Sequence, residues 1–308
     1  MTESRRLRVL PLRPGDRIGI AAPAAPIDPE VLERGEARIR ALGYRVRRAP
    51  GLTTRRGYLA GPDAARAAAL NRLIADPEVR AILFARGGYG TARLLPQLDL
   101  EGLRRFPRLL IGYSDLTALF AALSVGGDYP VGYGPHVADL ARPSRYHAPS
   151  FARFLAAGPG GERFDLAGCR TLVPGAAEGP LRGGCLTLLQ TSIGTPWQPD
   201  LDGALLFLED WQEEPYRIDR MLHHLRAAGL LRRIRGVVVG RPVRIAPRGK
   251  RPSLSFEEVI LDHLGGLGVP VVVGIPVGHC ARKRTLSLGV AARLDTRRAV
   301  LETFSPGR

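Results

Sequence analysis

Leu109-Leu110-Ile111-Gly112-Tyr113-Ser114-Asp115-Leu116 carries a short apolar strand into Gly-x-Ser and then directly into a predicted helix over residues 115–124. Strand, tight turn and helix in that order are one β/α step of a parallel sheet. They are also the setting of a nucleophile elbow, in which the turn exposes a Ser hydroxyl and the helix start offers free N–H groups to negative charge. The motif is incomplete, because Leu116 stands where Gly-x-Ser-x-Gly needs its last glycine. The same residues also suit a plain helix start, with Ser114 or Asp115 as N-cap.

Reading outward, strands are expected at 17–22, 44–48 and 81–85, and amphipathic helices at 29–42 and 60–75. This alternation predicts an α/β fold with a parallel sheet covered by helices on both faces. Residues 142–180 are rich in Pro, Gly, Arg and Ala, with weak periodicity, and read as an irregular connection. A second block follows. An apolar run at 186–193 precedes strands at 204–208, 236–240 and 270–274, with helices at 218–228 and 256–264. Residues 286–294 and 299–303 alternate like terminal antiparallel strands. The expected organisation is an N-terminal domain at 1–140, a linker at 141–178 and a C-terminal α/β domain at 179–308.

The 308 residues suffice for two domains, and 45% hydrophobic content excludes wholesale disorder. The net charge of +16 raises nucleic acid as a partner. All but Lys250 and Lys283 of the 45 basic residues are arginines, scattered along the chain in short clusters such as Arg282, Lys283 and Arg284. That pattern suits a compositional bias rather than a nucleic-acid footprint, and no nucleic-acid-binding motif accompanies it. Anionic small substrates remain compatible with the charge. Three cysteines give no disulfide framework and suit a reducing compartment. No apolar run has the length of a signal peptide or a membrane span, so a cytoplasmic protein with no membrane partner is expected.

A serine nucleophile needs a base and a group to orient it. Of six histidines, His279 is the strongest candidate, in the loop Gly274-Ile275-Pro276-Val277-Gly278-His279 that leaves a buried strand. His136, after a Gly-Pro turn, could also line a site. His223, His224 and His263 fall in predicted helices, and His147 in the irregular segment. Glu209 and Asp210 end the apolar strand Leu205-Leu206-Phe207-Leu208, where two acids are costly unless paired or used. A salt bridge to Arg217 or Arg220 is the alternative for them. Arg86-Gly87-Gly88-Tyr89-Gly90 lets backbone approach a ligand, although it lacks the spacing of a phosphate-binding loop. Cys185 and Cys280 are possible nucleophiles or small buried hydrophobes. No metal-ligand spacing is present.

Taken in order, Arg86-Gly87-Gly88-Tyr89-Gly90, Gly112-Tyr113-Ser114-Asp115, Leu206-Phe207-Leu208-Glu209-Asp210, Glu213-Glu214-Pro215-Tyr216-Arg217-Ile218-Asp219-Arg220 and Gly278-His279 resemble the LD-carboxypeptidase family of serine peptidases. That family includes murein tetrapeptide carboxypeptidases and microcin C immunity peptidases. The resemblance spans about residues 15–300. It implies a flavodoxin-like N-terminal domain, a smaller swivelling C-terminal domain, a site between them and a homodimer. It also implies a triad of Ser114 as nucleophile, His279 as base and Glu209 as its orienting acid, with Gly88 and Asp115 backbone amides as oxyanion hole. No metal and no cofactor are expected. The implied reaction releases the terminal D-Ala of a murein tetrapeptide, an anionic peptide. Hydrolysis of peptidyl-nucleotide antibiotics is the alternative within the family, and a non-catalytic ligand-binding protein is the alternative outside it. Two departures, Cys280 after the His and Ala24 in the first loop, bear on loop detail and substrate fit.

Overall fold

The computed structural model describes residues 7–249 and 252–305; Lys250 lies outside them. Two mixed sheets organise the chain. The first is laid down by β1 (Arg17–Ala21), α1 (Pro29–Ala41), β2 (Arg45–Arg48), α2 (Asp63–Ala75), β3 (Val79–Phe84), α3 (Leu100–Arg105), β4 (Leu109–Gly112), α4 (Thr117–Ser124), β5 (Val131–Tyr133) and α5 (Val137–Leu140). Its parallel strands run β2-β1-β3-β4-β5, the flavodoxin-like order. β4 is buried throughout, as a central strand covered on both faces must be. α1 starts where Asp28 caps the N–H groups of Glu30 and Val31, and Pro29 takes the first helical position.

Residues 142–180 are not irregular. They hold α6 (Ala148–Ala157), β6 (Arg163–Asp165), β7 (Arg170–Val173) and the first half of β8 (Ala176–Cys185). β6 and β7 lie at the two edges of the second sheet and are half-exposed, so they lack the apolar alternation that marks a strand in sequence. The sheet continues through α7 (Leu186–Ser192), β9 (Leu205–Glu209), α8 (Pro215–Ala227), β10 (Gly236–Gly240), α9 (Phe256–Leu264) and β11 (Val271–Ile275). β8, β9, β10 and β11 are parallel, and β7 pairs antiparallel with β11.

The expected terminal strand at 286–294 is two strands serving different sheets. β12 (Leu286–Leu288) pairs antiparallel with β5 in the first sheet. Past Gly289, β13 (Val290–Asp295) joins β8 in the second, followed by β14 (Val300–Thr303). The chain therefore returns to the first sheet after building most of the second. One large apolar cluster includes residues of both sheets, among them Tyr133 and Phe207, whose rings lie 5.2 Å apart. Among the described residues no helix is long and apolar enough to cross a membrane.

Smaller differences follow from local chemistry. The helix expected from residue 60 begins at Asp63, after Pro62. α8 begins at Pro215, earlier than its apolar periodicity suggests, because proline suits the first helical turn. The helix after Ser114 opens with a single 3₁₀ turn over Ser114–Leu116.

Candidate active site

The three candidate side chains leave strand ends that face one another across the two sheets. Ser114 follows β4, Glu209 ends β9 and His279 follows β11. His279 Nε2 lies 3.1 Å from Ser114 Oγ, and His279 Nδ1 lies 2.7 Å from Glu209 Oε2. The backbone N–H of His279 donates to the same Glu209 oxygen at 3.0 Å. Serine, histidine and glutamate thus form one hydrogen-bonded chain, the arrangement that a serine nucleophile with a base and an orienting acid needs.

The turn at Ser114 is strained, as an elbow requires: φ is 61°, in the left-handed region. Asp115 turns its carboxylate inward, where it accepts from the Thr91 N–H at 2.8 Å. Burial raises its pKa. Its backbone N–H and that of Gly88 donate to no group among the described residues. Gly88 has φ +122°, and a Cβ there would lie 2.8 Å from Ala25 Cβ. A Cβ on Gly87 would lie 3.2 Å from Ser114 Oγ. The glycine loop therefore lets its backbone approach the serine.

Glu209 is 4% exposed. Burial pushes its pKa up, but the His279 charge and hydrogen bonds from His279 and Tyr133 outweigh it and hold the carboxyl below its ordinary value. Asp210, the neighbouring acid, points the other way and accepts from the N–H and hydroxyl of Thr187. Arg217 lies 3.6 Å from Glu213 instead, so the salt-bridge alternative for Glu209 is not the arrangement present. Burial raises the thiols of both Cys185 and Cys280, which disfavours thiolate at either.

The other histidines are accounted for. His147 caps α6, His263 pairs with Asp219, and His223 and His224 are both exposed. His136 does reach the site. Its Nε2 accepts the Tyr113 N–H at 3.2 Å, and its ring stacks on Tyr113. Burial drives its pKa down to about 3, so it is a neutral acceptor at neutral pH.

Four residues that sequence reading did not single out complete the surroundings. Tyr133 links the Ser114 backbone to Glu209. Tyr113 packs edge-on against His279, and the Trp211 ring, 43% exposed, stacks with it at 5.6 Å. Lys283 is 1% exposed; its Nζ lies 2.9 Å from Asp139 Oδ1 and 4.6 Å from the Tyr113 ring centre. All sit within or beside a cleft of about 560 Å³ lined by Ser114, His279 and Gly88. Another cavity, of about 440 Å³ beside Tyr216 and Leu254, contains none of the three candidate side chains. Among the described residues no group of three or more His, Cys, Asp or Glu is placed to hold a metal ion.

Residues 18–133 match the LD-carboxypeptidase N-terminal domain, and residues 178–294 match the LD-carboxypeptidase C-terminal domain. The chain belongs to the LD-carboxypeptidase family. A probable murein peptide carboxypeptidase of Bacillus subtilis is 36% identical, over 94% of this chain and 93% of that one. The microcin C7 self-immunity protein of Escherichia coli is 27% identical, over 96% and 95%. The crystal structure of a muramoyltetrapeptide carboxypeptidase from Oxalobacter formigenes superposes with a TM-score of 0.81 at 29% identity, covering 94% of this chain and 98% of that one. The two-sheet architecture is thus that of the LD-carboxypeptidases; Ser114 lies in the first matched segment, and Glu209 and His279 lie in the second.

Proposed function

We propose that this LD-carboxypeptidase is a serine peptidase that releases the terminal D-Ala from murein tetrapeptides. The observation that carries the reading is the hydrogen-bonded chain from Ser114 through His279 to Glu209. The similarity to a murein peptide carboxypeptidase supports the substrate class.

In this reading His279 Nε2 takes the Ser114 proton as Oγ attacks the scissile carbonyl. The new Oγ–C bond moves the carbonyl electron pair onto oxygen. That oxyanion accepts from the free amides of Gly88 and Asp115, which face charge that exists only along the reaction path. The C–N bond then breaks, and the imidazolium gives its proton to the departing amine. Water, deprotonated by His279, releases the peptide and restores the serine. Glu209 holds the Nδ1 proton and stabilises the imidazolium, and stays ionised because its own pKa is held low. The expected partner is an anionic peptide, with no cofactor.

The test is incubation of the protein with L-Ala-D-Glu-meso-diaminopimelate-D-Ala, following free D-Ala. Stoichiometric release supports the reading, and an intact peptide overturns it.

A second reading is favoured by Trp211. Its exposed face, parallel to His279 and at the cleft, suits stacking with a nucleobase, as hydrolysis of an aminoacyl nucleotide would need. Faster turnover of an aminoacyl sulfamoyl adenylate than of the tetrapeptide favours this alternative.

A further inference from the structure

Three arginines line the cleft that holds Ser114: Arg86, Arg142 and Arg145. Arg86 stands between β3 and the Gly87-Gly88 loop, and the other two follow α5 on another stretch of the wall. The cleft also contains two carboxylates, Asp28 and Asp139. Both are occupied. Asp28 accepts the N–H groups that begin α1. Asp139 accepts from Lys283 Nζ and the His136 N–H, and Arg145 Nε lies 3.6 Å from its Oδ1. Among the described residues, Arg86 and Arg142 have neither a hydrogen-bonded nor an ion-paired side-chain partner. The wall beside the serine therefore has excess positive charge and free guanidinium forks.

We propose that Arg86 and Arg142, supported by Arg145, form a carboxylate-binding wall that selects polyanionic peptides for the Ser114 centre. This rests on Ser114 being the reactive serine and deepens the substrate class proposed above. Guanidinium groups match carboxylates in geometry and keep their charge at every working pH. Two such groups on different stretches of the wall can hold two carboxylates of one extended substrate while the scissile bond lies over Ser114. A neutral peptide would leave both forks unmatched.

The test uses two serine-reactive aryl phosphonates of equal leaving group, one neutral and one carrying carboxylates, on the full-length protein. The wild type should label Ser114 faster with the anionic probe, and salt should shrink that preference. Arg86→Gln and Arg142→Gln should each reduce the anionic-to-neutral rate ratio by roughly tenfold, the size of one charge-assisted hydrogen bond. Arg13→Gln removes the same charge ahead of β1, at the other end of the strand, and should leave the ratio unchanged. Equal labelling of the wild type by both probes overturns the proposal, as does an equal loss in Arg13→Gln, which would make the effect one of net charge. Because the readout needs no natural substrate, a preserved preference without D-Ala release would overturn the murein reading alone.

Discussion

The Tyr133 hydroxyl donates to Glu209 Oε1 at 2.6 Å and accepts the Ser114 backbone N–H at 3.2 Å. One fully buried phenol thus ties the strained turn at Ser114 to Glu209 on the other sheet. Tyr133→Phe keeps the ring packing and leaves one carboxylate oxygen without its donor. Hydrogen bonds to charged groups contribute about 1.5–3 kcal/mol, so kcat for D-Ala release should fall roughly 10- to 100-fold with little change in KM. An unchanged kcat would show that Tyr133 is only core.

Gly278 precedes His279 with φ +97°, and a Cβ there would lie 2.3 Å from Glu209 Oε2. Gly278→Ala must displace either the acid or the His279 loop. Activity should drop towards the level of a His279→Ala variant while the far-ultraviolet circular dichroism stays native. Activity near wild type would mean that the loop can shift without losing the triad.

Lys283 and Asp139 form a buried pair between the loop carrying His279 and the helix after β5. Asp139 stays ionised although burial opposes it, because the Lys283 charge holds its pKa low. Lys283→Met strands that charge and should cost about 3–5 kcal/mol of stability. Adding Asp139→Asn should recover part of the loss, read by urea unfolding. A double variant no more stable than the single one would contradict the pairing.

His136 falls from an ordinary pKa of 6.5 to about 3 on folding. The unfolded chain therefore binds a proton that the folded protein refuses, and stability falls as pH drops from about 6.5 towards 3. At pH 5 this one group should remove about 2 kcal/mol relative to pH 7, at 1.36 kcal/mol per unit. The His136→Gln variant should lose that part of the slope. Identical pH slopes in the two proteins would contradict a neutral buried imidazole.

The parts legible in sequence share one property. Ser114, Glu209 and His279 each stand just past a continuous apolar run, so each could be placed at the end of a buried strand. Tyr133 could not be singled out, because a tyrosine in an apolar strand reads as core until its hydroxyl's partners are known. Lys283 sits in the run Arg282-Lys283-Arg284, which reads as solvated charge, and only the fold brings Asp139 to it. Trp211 follows the two acids, with nothing local to say which way its ring faces. The edge strands β6 and β7 pair with partners far along the chain, and their exposed side chains hide the alternation. The division of 286–294 between two sheets turns on Gly289, where a Cβ would lie 2.4 Å from the Tyr129 carbonyl oxygen, a contact that no local pattern records.

Whether Ser114 is the nucleophile of a D-Ala-releasing peptidase is tested by D-Ala release from the murein tetrapeptide, with wild type and Ser114→Ala side by side. Turnover by the wild type and a loss of roughly 10³-fold or more in the variant, with the fold intact, are the expected results. Full activity in Ser114→Ala would contradict that role.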